Sequence, residues 1–271
     1  MQTVFLCGML SCREDLTIDM EKRLDKINES ISLYQYTDGF SYGTDAVLVA
    51  AFCKIRNGQI GADLGTGTGI IPILLTHHKN PEKIFAFEVQ EDYARLSREN
   101  VGLNGFSDKI EVICDNVKNI TPSYMREYGV EALDFVVSNP PYMKITSGAL
   151  GLSERKISAR HEKWCGIGDF ARAGASLLKN GGDMYIVYRP DRLCDLIFAL
   201  RENRLEPKEM VFVKSFENTE PCMVLIRARK CAESSVKISD FIIYRERDVY
   251  TEEMERVYRD LVIGDIYGKR N

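Results

Sequence analysis

Two short stretches carry the residue types that could do chemistry. The first is Asp63-Leu64-Gly65-Thr66-Gly67-Thr68-Gly69, which follows a short apolar run. Glycines at alternate positions let the backbone turn sharply and approach a ligand where a Cβ would obstruct it. The G-x-G-x-G spacing differs from the dinucleotide G-x-G-x-x-G, and the Gly-Lys-Ser/Thr ending of a phosphate loop is missing. No lysine between Lys54 and Lys79 could answer a triphosphate. Asp63 instead offers a carboxylate to an ammonium group. Glu88 follows Gly65 by 23 residues, where an acid at a strand end accepts hydrogen bonds from both ribose hydroxyls. Asp115, with Asn116 after it, could meet the exocyclic amine of an adenine. An amino-acid end, a ribose and an adenine without phosphates describe S-adenosylmethionine.

The second stretch is Asn139-Pro140-Pro141-Tyr142, which ends the apolar run Leu133–Ser138. Two prolines cannot continue a strand, so the chain must turn outward here. An exocyclic amine on a heteroaromatic ring is a poor nucleophile because its lone pair is delocalised. The Asn139 side-chain oxygen and the Pro140 carbonyl can each accept one N–H bond and draw electron density back onto nitrogen. Transfer onto that amine then depends on positioning and on dipoles aimed at developing charge. Tyr142 offers a face for a flipped base, a contact worth about 1–3 kcal/mol.

With these motifs the chain resembles the class I, S-adenosylmethionine-dependent amino-methyltransferases over residues 40 to 230. Within that class it is most similar to the bacterial tRNA1(Val) adenine-37 N6-methyltransferase family. Phe40–Leu48, Glu88-Val89-Gln90, Ala159-Arg160-His161-Glu162 and Tyr188–Leu193 carry the closer match. The resemblance implies that Gly43, Thr44 and Asp45 help hold the donor's methionine end. It places Asp63, Gly65, Thr66, Gly67, Gly69, Glu88 and Val89 in the cofactor site, Asp115 and Asn116 beside the adenine, and Asn139, Pro140, Pro141 and Tyr142 at the catalytic turn. Thr68 departs from the Asn of many relatives. The implied activity is methyl transfer to the N6 amine of an adenine in tRNA. Alternatives are methylation of a protein glutamine at N5, whose amide nitrogen needs the same help, or of rRNA. Against the glutamine reading, only about 40 residues precede Gly43, too few for the usual helical substrate domain.

The elements that must position these residues alternate. Strands are expected at Gln59–Asp63, Lys83–Glu88, Lys109–Cys114, Leu133–Ser138 and Asp183–Tyr188. Helices are expected at Ile70–His77, Asp92–Leu103, Ser123–Tyr128, Ile167–Leu178 and Arg192–Arg201. Asn180-Gly181-Gly182 reads as the cap ending the fourth of these helices. Met210–Lys214 and Met223–Arg229 have no helix between them and should pair as an antiparallel hairpin. Such alternation predicts an α/β, Rossmann-like, doubly wound, seven-stranded and mainly parallel sheet, with ligands beyond the strands' carboxyl ends. The expected organisation is an extension at 1–19 that is non-native or disordered, an N-terminal segment and cofactor-capping helix at 20–58, the methyltransferase domain at 59–230, and a C-terminal appendage at 231–271 packed on it. Met20 reads as a natural start.

The 271 residues carry a net charge of −4 and 45% apolar residues, which excludes a disordered or collagen-like chain. The charge is unevenly spread. Between 144 and 163, Lys144, Arg155, Lys156, Arg160 and Lys163 face only Glu154 and Glu162, a local excess of +3 that leaves −7 elsewhere. With His161, these five cations are the expected tRNA-binding residues. Trp164 reads as an apolar anchor for that segment. The eight cysteines form no C-x-x-C pair and the three histidines no zinc-like spacing, so no metal is expected. No apolar run reaches membrane-spanning length. The chain is expected to be reduced, cytoplasmic and monomeric.

Overall fold

The computed structural model describes residues 21–37, 39, 42–141 and 165–264. Its centre is an eight-stranded sheet built from β3 (Ile60–Leu64), β4 (Lys83–Glu88), β5 (Ile110–Cys114), β6 (Leu133–Ser138), β7 (Leu178–Tyr188), β8 (Leu205–Lys214), β9 (Pro221–Lys230) and β10 (Lys237–Ile242). The spatial order is β10-β8-β9-β7-β6-β3-β4-β5. β9 runs antiparallel to both β7 and β8, and every other pairing is parallel. Continuous apolar runs such as Phe135-Val136-Val137 are buried on both faces, as parallel strands covered by helices require. The strand order reverses between β3 and β6, which opens a crevice at their carboxyl ends.

The seven expected strands are therefore joined by an eighth, β10, which comes from the C-terminal segment. Three polar residues among six (Lys237, Ser239, Asp240), two of them adjacent, break the alternation and hide its strand character in the sequence. Beyond β10, the short hairpin β11 (Tyr244–Glu246) and β12 (Val249–Tyr250) leads into α7 (Glu252–Asp260). Met254 and Val257 of α7 are fully buried and share a core cluster with α1 (Thr44–Phe52). This explains why α1 is apolar all round: Ala46 to Phe52 are buried on every side, against the sheet inside and α7 outside. Lys79, the last residue of α2 (Ile70–Lys79), donates to the Ala51 and Cys53 carbonyls and closes the carboxyl end of α1.

One expected helix end is corrected. The helix α5 (Ile167–Leu177) stops at Leu177 and passes straight into extended backbone at Leu178. Asn180-Gly181-Gly182 caps no helix and lies within β7. Leu133 pairs with Leu178 but Phe135 pairs with Asp183, so residues 179 to 182 bulge opposite Asp134, with Gly181 at φ 78°. A turn-forming tripeptide serves a bulge as well as a cap.

The N-terminal hairpin, β1 (Lys22–Lys26) with β2 (Ser32–Tyr36), is absent from the expectations. It docks on α3 (Glu91–Leu103) through two asparagines that imitate a neighbouring strand. Asn100 accepts from the Tyr34 N–H at 2.7 Å and donates to the Tyr34 carbonyl at 3.0 Å. Asn104 does the same at Ser32, at 3.2 and 2.8 Å. Asn100 also donates to the Thr68 carbonyl at 2.9 Å, so one fully buried amide ties the hairpin to the glycine loop. Asn100→Ala strands those buried backbone groups. It should lower the unfolding free energy by about 2–4 kcal/mol in urea titration; an unchanged midpoint would contradict the clamp.

Candidate active site

The sheet register sets the site. Asp63 lies level with Val137 of β6 and Ala86 of β4, so the chain leaves β3 at Gly65 beside the place where it leaves β6 at Asn139. The buried Ser138 hydroxyl donates to the Leu64 carbonyl at 2.7 Å and pins the two exits together. At Gly61 a Cβ would stand 2.3 Å from the Phe135 ring, so only glycine lets these strands carry that aromatic between them. The glycine loop then folds back on β4: Gly65 and Thr66 N–H groups donate to the Phe87 carbonyl at 2.9 and 2.8 Å. Gly69, at φ 84°, starts α2 so tightly against α3 that a Cβ would meet Ser97 Oγ at 2.5 Å.

Asp63 is completely buried, and neither carboxylate oxygen has a hydrogen-bond partner among the described residues. Thr66 Oγ1 beside it is also buried and unpartnered. Burial pushes the Asp63 carboxyl up to about 7; the nearby Thr66 hydroxyl counters this in part and the Glu88 charge adds to it. A buried acid without a partner is a costly arrangement unless a cation completes it. Glu88 is also raised by burial, against which backbone N–H groups act. Its two oxygens accept from Gly67 N–H at 2.9 Å and Gln90 N–H at 3.0 Å. Each oxygen keeps a second acceptor site, so the loop contact and a diol contact are compatible. Asp115 and Asn116 form a tight turn after β5: Asp115 Oδ1 accepts from Asn119 Nδ2 at 2.8 Å, and Asn116 Oδ1 accepts from Lys118 N–H at 2.9 Å. Val89 lies in the bend between β4 and α3, and its carbonyl faces the Cys114 thiol.

Asn139 is half-buried and Pro140 buried. The Asn139 amide nitrogen donates to Asp45 Oδ2 at 3.0 Å, across 94 residues of sequence. Asp45 sits in the first turn of α1, preceded by Gly43 and Thr44, and its Oδ1 accepts from the Ala46 N–H at 2.9 Å. The structure thus brings the expected residues of the glycine loop, the strand-end acids, the Gly43-Thr44-Asp45 segment and Asn139-Pro140-Pro141 to one edge of the sheet. The Asp45–Asn139 bond is the contact that residue patterns missed. Asp45 also lines a cleft of about 520 Å³, together with Thr44, Tyr188, Arg189, Pro190, Pro221 and Met223, among others. Tyr142, Lys144, Arg155, Lys156, Arg160, His161, Lys163 and Trp164 lie outside the described residues. Among the described residues no group of three or more His, Cys, Asp or Glu could hold a metal ion, and no helix is long and apolar enough to cross a membrane.

The raised Asp63 carboxyl makes a prediction with a definite sign. The folded chain keeps a proton that the unfolded chain loses near its ordinary value of 3.8. Stability is therefore lost as pH rises from about 4 to about 7, with the full cost, at most about 4 kcal/mol, present above that window. Asp63→Asn should raise the thermal midpoint of the ligand-free protein at about pH 8 far more than at about pH 4. Equal shifts at both pH values would contradict an ionised, unpartnered acid.

Comparison with known proteins agrees with this geometry. Residues 37–199 match the methyltransferase small domain family. A protein of Parabacteroides distasonis named tRNA1(Val) (adenine(37)-N6)-methyltransferase is 28% identical over 221 residues, covering 82% of this chain and 90% of that protein. One of the same name from Phocaeicola vulgatus is 27% identical, covering 83% and 92%. Among solved structures, a predicted O-methyltransferase of Agrobacterium tumefaciens superimposes with a TM-score of 0.66 at 21% identity, covering 81% of this chain and 98% of that one. That likeness concerns the fold. A switch-point crevice carrying a glycine loop, strand-end acids and an Asn-Pro-Pro turn, together with a family match over most of the chain, makes this protein a methyltransferase of the methyltransferase small domain family.

Proposed function

We propose that the protein transfers a methyl group from S-adenosylmethionine to the N6 amine of an adenine in tRNA. The observation that carries this reading is the unpartnered Asp63 carboxylate one strand away from the Asn139-Pro140 turn. A cation-seeking acid and an amine-orienting amide thus face one crevice. The names of the two relatives support the same substrate.

The residues fit the cofactor. Asp63 would take its ammonium group, Glu88 its ribose hydroxyls, and Asp115 with Asn116 its adenine edge, while the glycine loop leaves room beside them. When bound there, S-adenosylmethionine supplies an electrophilic methyl group. The protein's own work is at the acceptor. Asn139 Oδ1 and the Pro140 carbonyl accept the two N–H bonds of the amine, which turns the nitrogen lone pair out of the ring's conjugation. Pro140 and Pro141 fix the backbone in that pose, so little reorganisation is needed at the moment of transfer. The nitrogen would gain the methyl as the methyl–sulfur bond breaks, its electron pair staying on sulfur, and would release one proton to water. Tyr142 is assigned the stacking of the flipped base, and Lys144, Arg155, Lys156, Arg160, His161 and Lys163 the tRNA backbone. That assignment implies binding that weakens steeply with salt. Action on tRNA places the protein in the cytoplasm.

Two outcomes test this. Nucleoside mass spectrometry of tRNA incubated with the protein and donor should show new N6-methyladenosine, and Asn139→Ala should lower its rate by about 100-fold or more. No methylation of tRNA, with methylation of a protein glutamine instead, would replace this reading. Donor affinity, followed by calorimetry, should rise with pH up to about 7 as Asp63 ionises and then level off. An affinity indifferent to pH would remove Asp63 from the ammonium site.

A further inference from the structure

We infer that Asp45 is a positioning residue that sets which face of the Asn139 amide meets the substrate amine. This rests on the reading above, in which Asn139 orients an amine.

The argument starts from what an amide can do. Its two ends are nearly equal in size, but one only accepts and the other only donates. With the oxygen toward the substrate, Asn139 draws an N–H bond and sharpens the nitrogen lone pair. With the amide reversed, two N–H groups would confront the amine's own N–H groups, and the site would repel its substrate. Nothing in Asn-Pro-Pro itself decides between these states. The structure supplies the decision from a distant segment. A carboxylate accepts and never donates, and Asp45 Oδ2 stands 3.0 Å from Asn139 Nδ2. The amide nitrogen must therefore face Asp45 and its oxygen must face the other way.

Asp45 is itself held. Its other oxygen accepts from the Ala46 N–H at 2.9 Å, and α1 behind it is buried from Ala46 to Phe52. The residue before Thr44 is also constrained: a Cβ on Gly43 would lie 2.6 Å from Asp45 Oδ1. The carboxylate is thus mounted at the start of a helix packed into the core from Ala46 to Phe52. A charged acceptor on the nitrogen also polarises the amide and strengthens its oxygen as an acceptor. The family resemblance implies a different role for Asp45, at the donor's methionine end, and the two roles make opposite predictions.

The test uses the full-length protein with S-adenosylmethionine and tRNA. Asp45→Asn is isosteric but can present either end to Asn139. It should leave donor affinity, measured by calorimetry, within about twofold and lower kcat by roughly 3- to 10-fold, the loss expected when the competent orientation is only part of the population. Asn139→Asp should be severely impaired because two carboxylates then face each other. The exchange D45N/N139D restores a donor–acceptor pair and still leaves one oxygen for the amine, so it should be more active than N139D alone. Donor affinity lost in Asp45→Asn with wild-type kcat at saturation, or a double variant no better than N139D, would overturn the inference. If the wild-type protein methylates no tRNA, it is the proposed function that fails. The positioning is then decided by NMR of the Asn139 side-chain amide, assigned through Asn139→Ala: its Nδ2 proton resonance should move upfield in Asp45→Asn, and no movement would overturn it.

Discussion

The level ending of three parallel strands is the constraint on which the site depends. β3, β4 and β6 pair in parallel with Asp63 opposite Ala86 on one side and Val137 on the other. Their residues are buried on both faces, so no strand can slip without moving apolar side chains out of packed environments. The Ser138–Leu64 bond and the Gly61–Phe135 contact fix that register at its two ends. The backbone positions of Asp63, Glu88 and Asn139 therefore follow from the register, and side-chain contacts such as Asp45–Asn139 only set their orientation. These residues lie at the carboxyl ends of three fixed strands, Asp63 and Glu88 in the last residues of β3 and β4 and Asn139 just past β6.

What surrounds the crevice is held by side chains that act as backbone. Asn100 in α3 and Asn104 at its carboxyl-terminal cap stand one turn apart and offer the outer edge of β2 the donor and acceptor that a strand would. The same Asn100 amide reaches the Thr68 carbonyl. On the opposite side, α7 and β10 close the apolar helix α1 and the end of the sheet. Segments before and after the alternating part of the chain thus brace its glycine loop and its catalytic turn from two directions.

The alternating part was legible because its signals are local. Fully buried strands are continuous apolar runs, and the sequence places β4 and β6 within the residues found. The glycine loop and the Asn-Pro-Pro turn are likewise recognisable from spacing and backbone restriction alone. The pieces that escaped are those whose partners lie far away. β1 and β2 are short and polar on one side, and they become a hairpin against α3 only through Asn100 and Asn104. Asn100 inside a helix is unfavourable by propensity, and that conflict is the available clue. β10 needs β8 as a neighbour, and the Asp45–Asn139 bond joins residues 94 apart. Asn180-Gly181-Gly182 departs from its expectation for another reason: its turn chemistry is real, but the bulge it makes belongs to a strand and not to a helix end.

The unpartnered Asp63 has a bearing on turnover. With the donor assigned as proposed, this acid grips an ammonium group that the reaction never touches. Donor and spent cofactor carry that group alike, so the contact holds both with equal strength and contributes nothing to the chemical barrier. It secures occupancy, not rate. What distinguishes the two ligands is the positive charge on sulfur, which vanishes with the methyl. Exchange of spent cofactor for fresh donor must therefore be driven from the reacting end of the crevice, while the buried acid at the other end remains indifferent to whether the methyl is still there.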